Sequence, residues 1–122
     1  MKAEELVTLF FPPGLLEQFD VVRVETNRDE VIVHLDEKSV VPELTAEQKQ
    51  KGVYSKGFTE AVDVLDFPIR NRVGHLKVRK RKWKVNGEDA ILMRPIELSE
   101  PGTKFTKDFA AFLKAAGIER TG

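Results

Sequence analysis

Residues 65–85 read LDFPIRNRVGHLKVRKRKWKV, and this stretch carries the clearest fold and charge signals of the chain. Residues 60–67, which overlap its start, alternate apolar and polar side chains as a half-buried strand does. Pro68 ends that strand, because proline cannot donate to a strand ladder. Residues 70–72 then supply a turn, and a second strand begins at residue 73.

Residues 73–85 are predicted to form one long strand, with Leu76 and Val78 on its apolar face. Continuing this alternation would turn the lysines at positions 80, 82 and 84 inward. Unpaired ammonium groups are not tolerated in a core. We therefore expect either a bulge near residues 80–82, which returns Trp83 to the core, or a strand that projects beyond the sheet. In both cases the cations would be exposed to solvent.

The other strands and loops follow from alternation and from turn-forming residues. One hairpin consists of residues 21–25 and 31–36 and turns at residues 26–30. In a second hairpin, Asn86-Gly87 joins residues 73–85 to residues 89–93. Residues 37–56 have no regular alternation, and residues 45–51 are almost wholly polar, so a mobile loop or a short exposed helix is expected there.

Helices are predicted at both ends of the chain. Residues 3–11 form a short helix that Pro12 ends, and residues 15–19 form a second helical turn. Thr106 is a suitable N-cap for a C-terminal helix, and Gly117 suits the position just after its end. Phe109, Phe112, Leu113 and Ala116 form an apolar stripe at helical spacing, so a buried Phe112 would make Phe112→Ala cost about 3–5 kcal/mol.

Together these elements predict one α+β domain over residues 1–122. We expect an antiparallel sheet of about five strands, covered on one face by the C-terminal helix, with short N-terminal helices at an edge.

Charge is distributed unevenly in this chain of zero net charge. Residues 1–69 hold 7 basic and 14 acidic residues, and residues 85–122 hold 5 basic and 6 acidic ones. Residues 70–84, called the basic segment below, hold 8 basic residues and no acidic one. Asymmetry of this kind indicates a polyanionic partner.

Several function classes are excluded by the residues present. The absence of cysteine removes disulfides, thiolate metal sites and thiol catalysis, and two histidines are too few for an all-histidine metal site. His34 falls on the polar side of its strand, and Asp63 and Asp66 face opposite sides of theirs. The glycines form no phosphate-binding loop. We therefore expect no enzymatic activity and no cofactor.

A cytoplasmic location is the default expectation. The longest uncharged apolar run, residues 6–16, has 11 residues and contains two prolines, whereas a membrane span needs about 20. The N-terminus lacks the positively charged start of a secretory signal.

The basic segment is the candidate nucleic-acid interface, with most affinity expected from phosphate contacts. Two other interpretations stay open: a lysine-protected edge strand, and pairing with acidic groups of this or another chain. We expect Trp83 in the core, with base stacking as the alternative. The candidate binding residues are Arg70, Arg72, Lys77, Arg79, Lys80, Arg81, Lys82 and Lys84.

The order of several motifs resembles the N-terminal region of bacterial insertion-sequence transposases. The central match runs from LDFPIRNR at residues 65–72, through the strand at 73–78, to RKRKW at 79–83. Further similar stretches make the resemblance span nearly the whole chain; they are GLLEQFD at residues 14–20, residues 22–25, GTKFT at 102–106 and residues 109–114.

The resemblance implies a non-catalytic protein encoded ahead of a DDE transposase domain. It implies two partners, the DNA of the element ends and the catalytic transposase polypeptide; the alternative is a protein-interaction module that docks the catalytic chain without contacting DNA. A homodimer is left open. Many relatives carry a cysteine-based zinc ribbon after the basic strand, where this chain has Asn86-Gly87 and no cysteine, so zinc binding is not implied.

Overall fold

The computed structural model describes residues 10–12 and 14–117, and it confirms the α+β class. The expected helix over residues 3–11 lies almost entirely outside the described residues. The elements are the helices α1 (Leu15–Gln18), α2 (Ala46–Lys51) and α3 (Lys107–Ala115), and the strands β1 (Phe19–Thr26), β2 (Glu30–Glu37), β3 (Val53–Phe58), β4 (Val62–Ile69), β5 (Arg72–Arg79), β6 (Arg81–Val85) and β7 (Ile91–Leu92).

The described strands form two sheets, so the expected single antiparallel sheet of about five strands is wrong in its detail. The large sheet has the order β1-β2-β5-β4, and the small sheet has the order β3-β6-β7. The predicted hairpin of β1 and β2 is confirmed, and so is the antiparallel pair of β4 and β5. However, β2 and β5 run parallel, because the segment between them crosses over and contributes α2 and β3.

The predicted long strand over residues 73–85 is also wrong, because the chain changes sheets at Lys80. Leu76 and Val78 are buried in β5, whereas Trp83 and Val85 are buried in β6. In β5 the buried residues are even-numbered, whereas in β6 the buried residues are odd-numbered. The change occurs at Lys80, which belongs to neither strand. This break returns Trp83 to the interior, as the bulge alternative requires, and keeps the lysines at 82 and 84 off the buried face.

Strand β3 was not expected, because its sequence has no alternation of apolar and polar residues. Its central four residues are all exposed, and only Val53 and Phe58 at its ends are half-buried. Pairing with β6 defines it as a strand, so its existence depends on a partner distant in sequence. Residues 37–56 were expected to form either a mobile loop or a short exposed helix, and the structure has the helix, α2. A capping box between Thr45 and Gln48 stabilises its N-terminus.

The main core lies between the buried face of the large sheet and the segments that cross it. Gly74 of β5 is buried, and a Cβ atom there would lie 2.7 Å from the carbonyl oxygen of Phe67. Glycine is therefore required by the close approach of β4. The core consists of Leu15, Phe19, Val31, Val33, Leu35, Val64, Leu76 and Val78, with Phe11, Ile69, Ile96 and Leu98 packed against it.

The C-terminal helix is confirmed with its cap, but it does not cover a face of the sheet. The Thr106 hydroxyl accepts a hydrogen bond from the Phe109 amide at 3.3 Å, and Gly117 follows the helix with φ 76°. No residue of α3 is buried, and Phe112 is 52% exposed. The helix packs at the end of β4 through Phe67, whose ring lies 5.0 Å from that of Phe109. The cost of Phe112→Ala expected for a buried ring therefore does not apply.

Among the residues that the structure describes, no helix has the length and apolar character needed to cross a membrane.

Candidate nucleic-acid interface

The basic segment does not form one continuous surface. Arg70 is exposed in the turn between β4 and β5, where it and Asn71 adopt positive φ angles. Arg72 starts β5 and donates to the carbonyl oxygen of Asn27 at 2.8 Å. These two arginines lie at the opposite end of β5 from Lys80, and strand alternation places the remaining cations on different faces. The eight candidates therefore have to be assessed separately.

Lys77 and Arg79 lie on the outer face of the large sheet, the side opposite its core. Arg79 makes a bidentate pair with Asp36, through hydrogen bonds of 2.7 and 2.6 Å. The hydrogen bonds from this guanidinium hold the pKa of Asp36 below its usual value. Its guanidinium carbon also lies 4.4 Å from the centre of the Phe58 ring. The guanidinium of Arg79 therefore already has two partners within the chain, Asp36 and Phe58.

Both histidines lie on this same outer face, where acidic side chains pair with them. His34 contacts Glu25 at 3.0 Å, which confirms its predicted polar side and helps lower the pKa of Glu25. His75 lies between Glu30 at 2.9 Å and Asp63 at 3.0 Å. The sequence did not predict this cluster of Glu30, Asp63 and His75, because its three residues come from three different strands.

Two carboxylates of β4, Asp63 and Asp66, lie on different faces of the large sheet, as predicted. Asp66 is buried with its carboxylate bonded to the Thr106 hydroxyl at 2.8 Å. Within residues 10–12 and 14–117, no group of three or more histidine and carboxylate side chains could hold a metal ion.

Lys80 and Arg81 fix the break between the two sheets. The ammonium group of Lys80 donates to the carbonyl oxygen of Arg94 at 2.8 Å. The backbone amide of Arg81 donates to the Glu37 carboxylate at 2.8 Å, and its side chain donates to the Glu37 carbonyl oxygen at 2.9 Å. Glu37 is fully buried at the end of β2, and its second carboxylate oxygen lies 3.8 Å from Arg94. The side chains of Lys80 and Arg81 therefore hold backbone carbonyl groups in place where the chain passes from one sheet to the other.

Lys82 and Lys84 lie in the small sheet, apart from Lys77 of β5, which has no hydrogen bond or ion pair among the described residues either but lies directly opposite Asp63 in the register of β4 and β5. They lie on the side of β6 opposite the buried Trp83 and Val85, and neither has a hydrogen bond or ion pair within the described chain. In the register of the small sheet, Lys84 is directly opposite Tyr54 on one side and Ile91 on the other.

We call Tyr54, Lys82, Lys84 and Ile91 the outer face of the small sheet. Tyr54 and Ile91 are each 43% exposed, so apolar surface lies beside ammonium groups that pair with no described residue. Lys56 is exposed in the irregular part of β3 that opposes Lys82, next to Gly57 with φ 93°. Sequence reasoning did not find Tyr54, Ile91 or Lys56, because only strand pairing brings them to the basic segment.

Comparisons of the chain with models of known protein families, with curated proteins and with solved structures found no match.

Proposed function

We propose that this protein is the non-catalytic N-terminal region of an insertion-sequence transposase, and that it contacts the DNA of the element ends through the outer face of the small sheet. The observation that carries the DNA contact is the pair Lys82 and Lys84, which have no intrachain partner in the described residues and lie on one side of one strand. The motif resemblance supports the transposition context.

Phosphate binding favours cations that are not already neutralised. A DNA phosphate that approached Arg79 would compete with the bidentate Asp36 pair, and one that approached Arg81 would disturb its bonds to Glu37. Lys82 and Lys84 have no such competitor. As residues i and i+2 of a strand, their Cα atoms lie about 6.6 Å apart on one face. Arg70 and Lys77 also have no hydrogen bond or ion pair among the described residues, but Arg70 lies at the far end of β5, and Lys77 lies directly opposite Asp63 on the outer face of the large sheet. We therefore centre the proposed contact on Lys82 and Lys84, the two unpaired cations that share one face of one strand, with Lys56 as a neighbouring contact.

Binding through so few lysines has a measurable signature. Each phosphate neutralised contributes a slope of about −0.9 to the dependence of log K on log salt, so two or three contacts give a slope of about −2 to −3. The zero net charge of the chain means that long-range attraction to DNA is weak. Affinity should therefore be modest and should depend on this one face.

The test is a fluorescence anisotropy titration with a labelled duplex of the element end over a series of salt concentrations. The double variant Lys82→Ser/Lys84→Ser should flatten the slope by about 2 and weaken binding to all sequences about equally. The matched control is Lys107→Ser/Lys114→Ser, which removes the same charge from exposed positions of α3. Absence of wild-type binding at low salt, or an equal loss in both variants, would refute the DNA contact.

A second candidate function, docking of the catalytic transposase chain without DNA, is favoured by the aromatic surface where α3 meets β4. Phe67 is 38% and Phe112 is 52% exposed, and their rings lie 5.4 Å apart. Clustered exposed aromatic side chains mark protein interaction sites. Co-purification of the catalytic chain without DNA, lost in Phe112→Ser and retained in Lys82→Ser/Lys84→Ser, would support this function. Retention in Phe112→Ser would contradict it.

A further inference from the structure

We propose that the outer face of the small sheet binds an unpaired DNA strand in preference to a duplex, with Tyr54 stacking against a base. This inference rests on the proposed DNA contact and specifies its ligand. Its basis is the alternation of apolar and cationic side chains across three strands: Tyr54 on β3, Lys84 on β6 and Ile91 on β7.

The register fixes how close these side chains are. Directly opposed residues of antiparallel strands have Cβ atoms about 4.5–5.5 Å apart, so Lys84 has an apolar neighbour in contact range on each side. Tyr54 and Ile91 remain 43% exposed despite this packing. The face therefore offers a phenol ring and an aliphatic side chain that are available to a ligand and flanked by positive charge.

Duplex DNA makes poor use of such a surface. Its bases are stacked on one another, so a protein reaches only phosphates and the edges of the bases in the grooves. An unpaired strand exposes base faces, which stack on aromatic side chains while lysines contact the phosphates. The Tyr54 ring next to these lysines can therefore stack on a base only when that base is not already stacked within a duplex.

The size of the face limits how much of the strand it can hold. With neighbouring strands about 4.8 Å apart, the distance across β3, β6 and β7 is about 10 Å. Strand β7 has only two residues, and beyond it the chain leaves the sheet. The site therefore accommodates a few nucleotides, with Lys82 and the exposed Lys56 extending the positive charge along the strand direction.

The experiment compares one oligonucleotide of about 15 bases, single-stranded and annealed to its complement, by anisotropy at one low salt concentration. The wild type should bind the single strand more tightly. Tyr54→Ala should weaken single-strand binding about tenfold, a typical loss of one base stack, and change duplex binding less than twofold. Tyr54→Phe, which retains the ring, should bind as the wild type does. Circular dichroism checks that each variant is folded.

A spectroscopic readout separates stacking from a general loss of affinity. Tyr54 is the only tyrosine, so incorporation of 3-fluorotyrosine gives a single fluorine resonance from this site. Stacking predicts a clear shift of that resonance on addition of the single strand and little change with the duplex.

The outcomes distinguish this inference from the proposed function. If Lys82→Ser/Lys84→Ser weakens duplex binding while Tyr54→Ala leaves the affinity for both oligonucleotides unchanged, the DNA contact stands and the stacking inference is wrong. Tighter binding of the duplex, or an unchanged fluorine resonance with the single strand, also overturns the inference. If the wild type binds neither ligand, both proposals fail.

Discussion

Replacing Glu37 by alanine should destabilise the fold at the point where the basic segment changes sheets. The Glu37 side chain has no solvent exposure, and one carboxylate oxygen accepts the Arg81 backbone amide at 2.8 Å. The other carboxylate oxygen is buried 3.8 Å from Arg94 and accepts no hydrogen bond from residues 10–12 or 14–117. The substitution therefore leaves the Arg81 amide without an acceptor and Arg94 without its nearest carboxylate.

The magnitude follows from these two losses. A hydrogen bond to a charged group contributes about 1.5–3 kcal/mol, and breaking a buried ion pair costs about 3–5 kcal/mol. The pair with Arg94 is long, and Arg94 keeps a hydrogen bond of 2.7 Å to Gln18, so the lower values apply. We expect Glu37→Ala to lower the free energy of unfolding by about 4.5 kcal/mol, which for a domain of this size lowers Tm by roughly 15 °C.

Urea and thermal unfolding, monitored by the fluorescence of the buried Trp83, measure this change. Glu37→Gln keeps an acceptor for Arg81 and should cost clearly less than the alanine variant. Amide hydrogen exchange should show faster exchange at Arg81 in Glu37→Ala. Glu43→Ala is the matched control, because Glu43 is exposed in the same crossover segment and should change stability by less than about 0.5 kcal/mol.

Stability of Glu37→Ala within 0.5 kcal/mol of the wild type would refute the assigned role of Glu37. An equal loss in Glu37→Gln would show that the negative charge, rather than the hydrogen-bond acceptor, holds the chain at this break.

Two further predictions follow from the large sheet. Gly74→Ala should destabilise the protein by about 1–3 kcal/mol in urea unfolding, because the added methyl group would lie 2.7 Å from the Phe67 carbonyl oxygen; no loss would contradict the assigned register of β4 and β5. Because hydrogen bonds from Arg79 lower the folded-state pKa of Asp36 below 3.8, Asp36 stabilises the fold above that value, and this contribution is lost as pH falls through the folded-state pKa. The stability difference between wild type and Asp36→Asn should therefore be largest near neutral pH and shrink in acid, and a pH-independent difference would contradict the pairing.

Local sequence predicted the elements whose signals lie within a few residues. The hairpin of β1 and β2, the turn at residues 70–72 and the Thr106 cap were predicted because alternation, turn residues and capping side chains act over short distances. Strand β3 and the parallel pairing of β2 with β5 were not predicted, because they depend on partners far away in sequence. The exposure of Phe112 was missed for a related reason: helical periodicity shows that an apolar face exists but not how much of it is covered.

The sequence by itself determined the α+β class and the concentration of the excess positive charge in residues 70–84. Only the tertiary structure decided which of those charges are available. Asp36 and Glu37 are more than 40 residues away in sequence; the Asp36 carboxylate pairs with Arg79, and the backbone carbonyl oxygen of Glu37 accepts from the Arg81 side chain. Lys84 instead has Tyr54 and Ile91 as its cross-strand neighbours. The physical reason is that side-chain pairing depends on distance in space, and the change of sheet at Lys80 sets those distances.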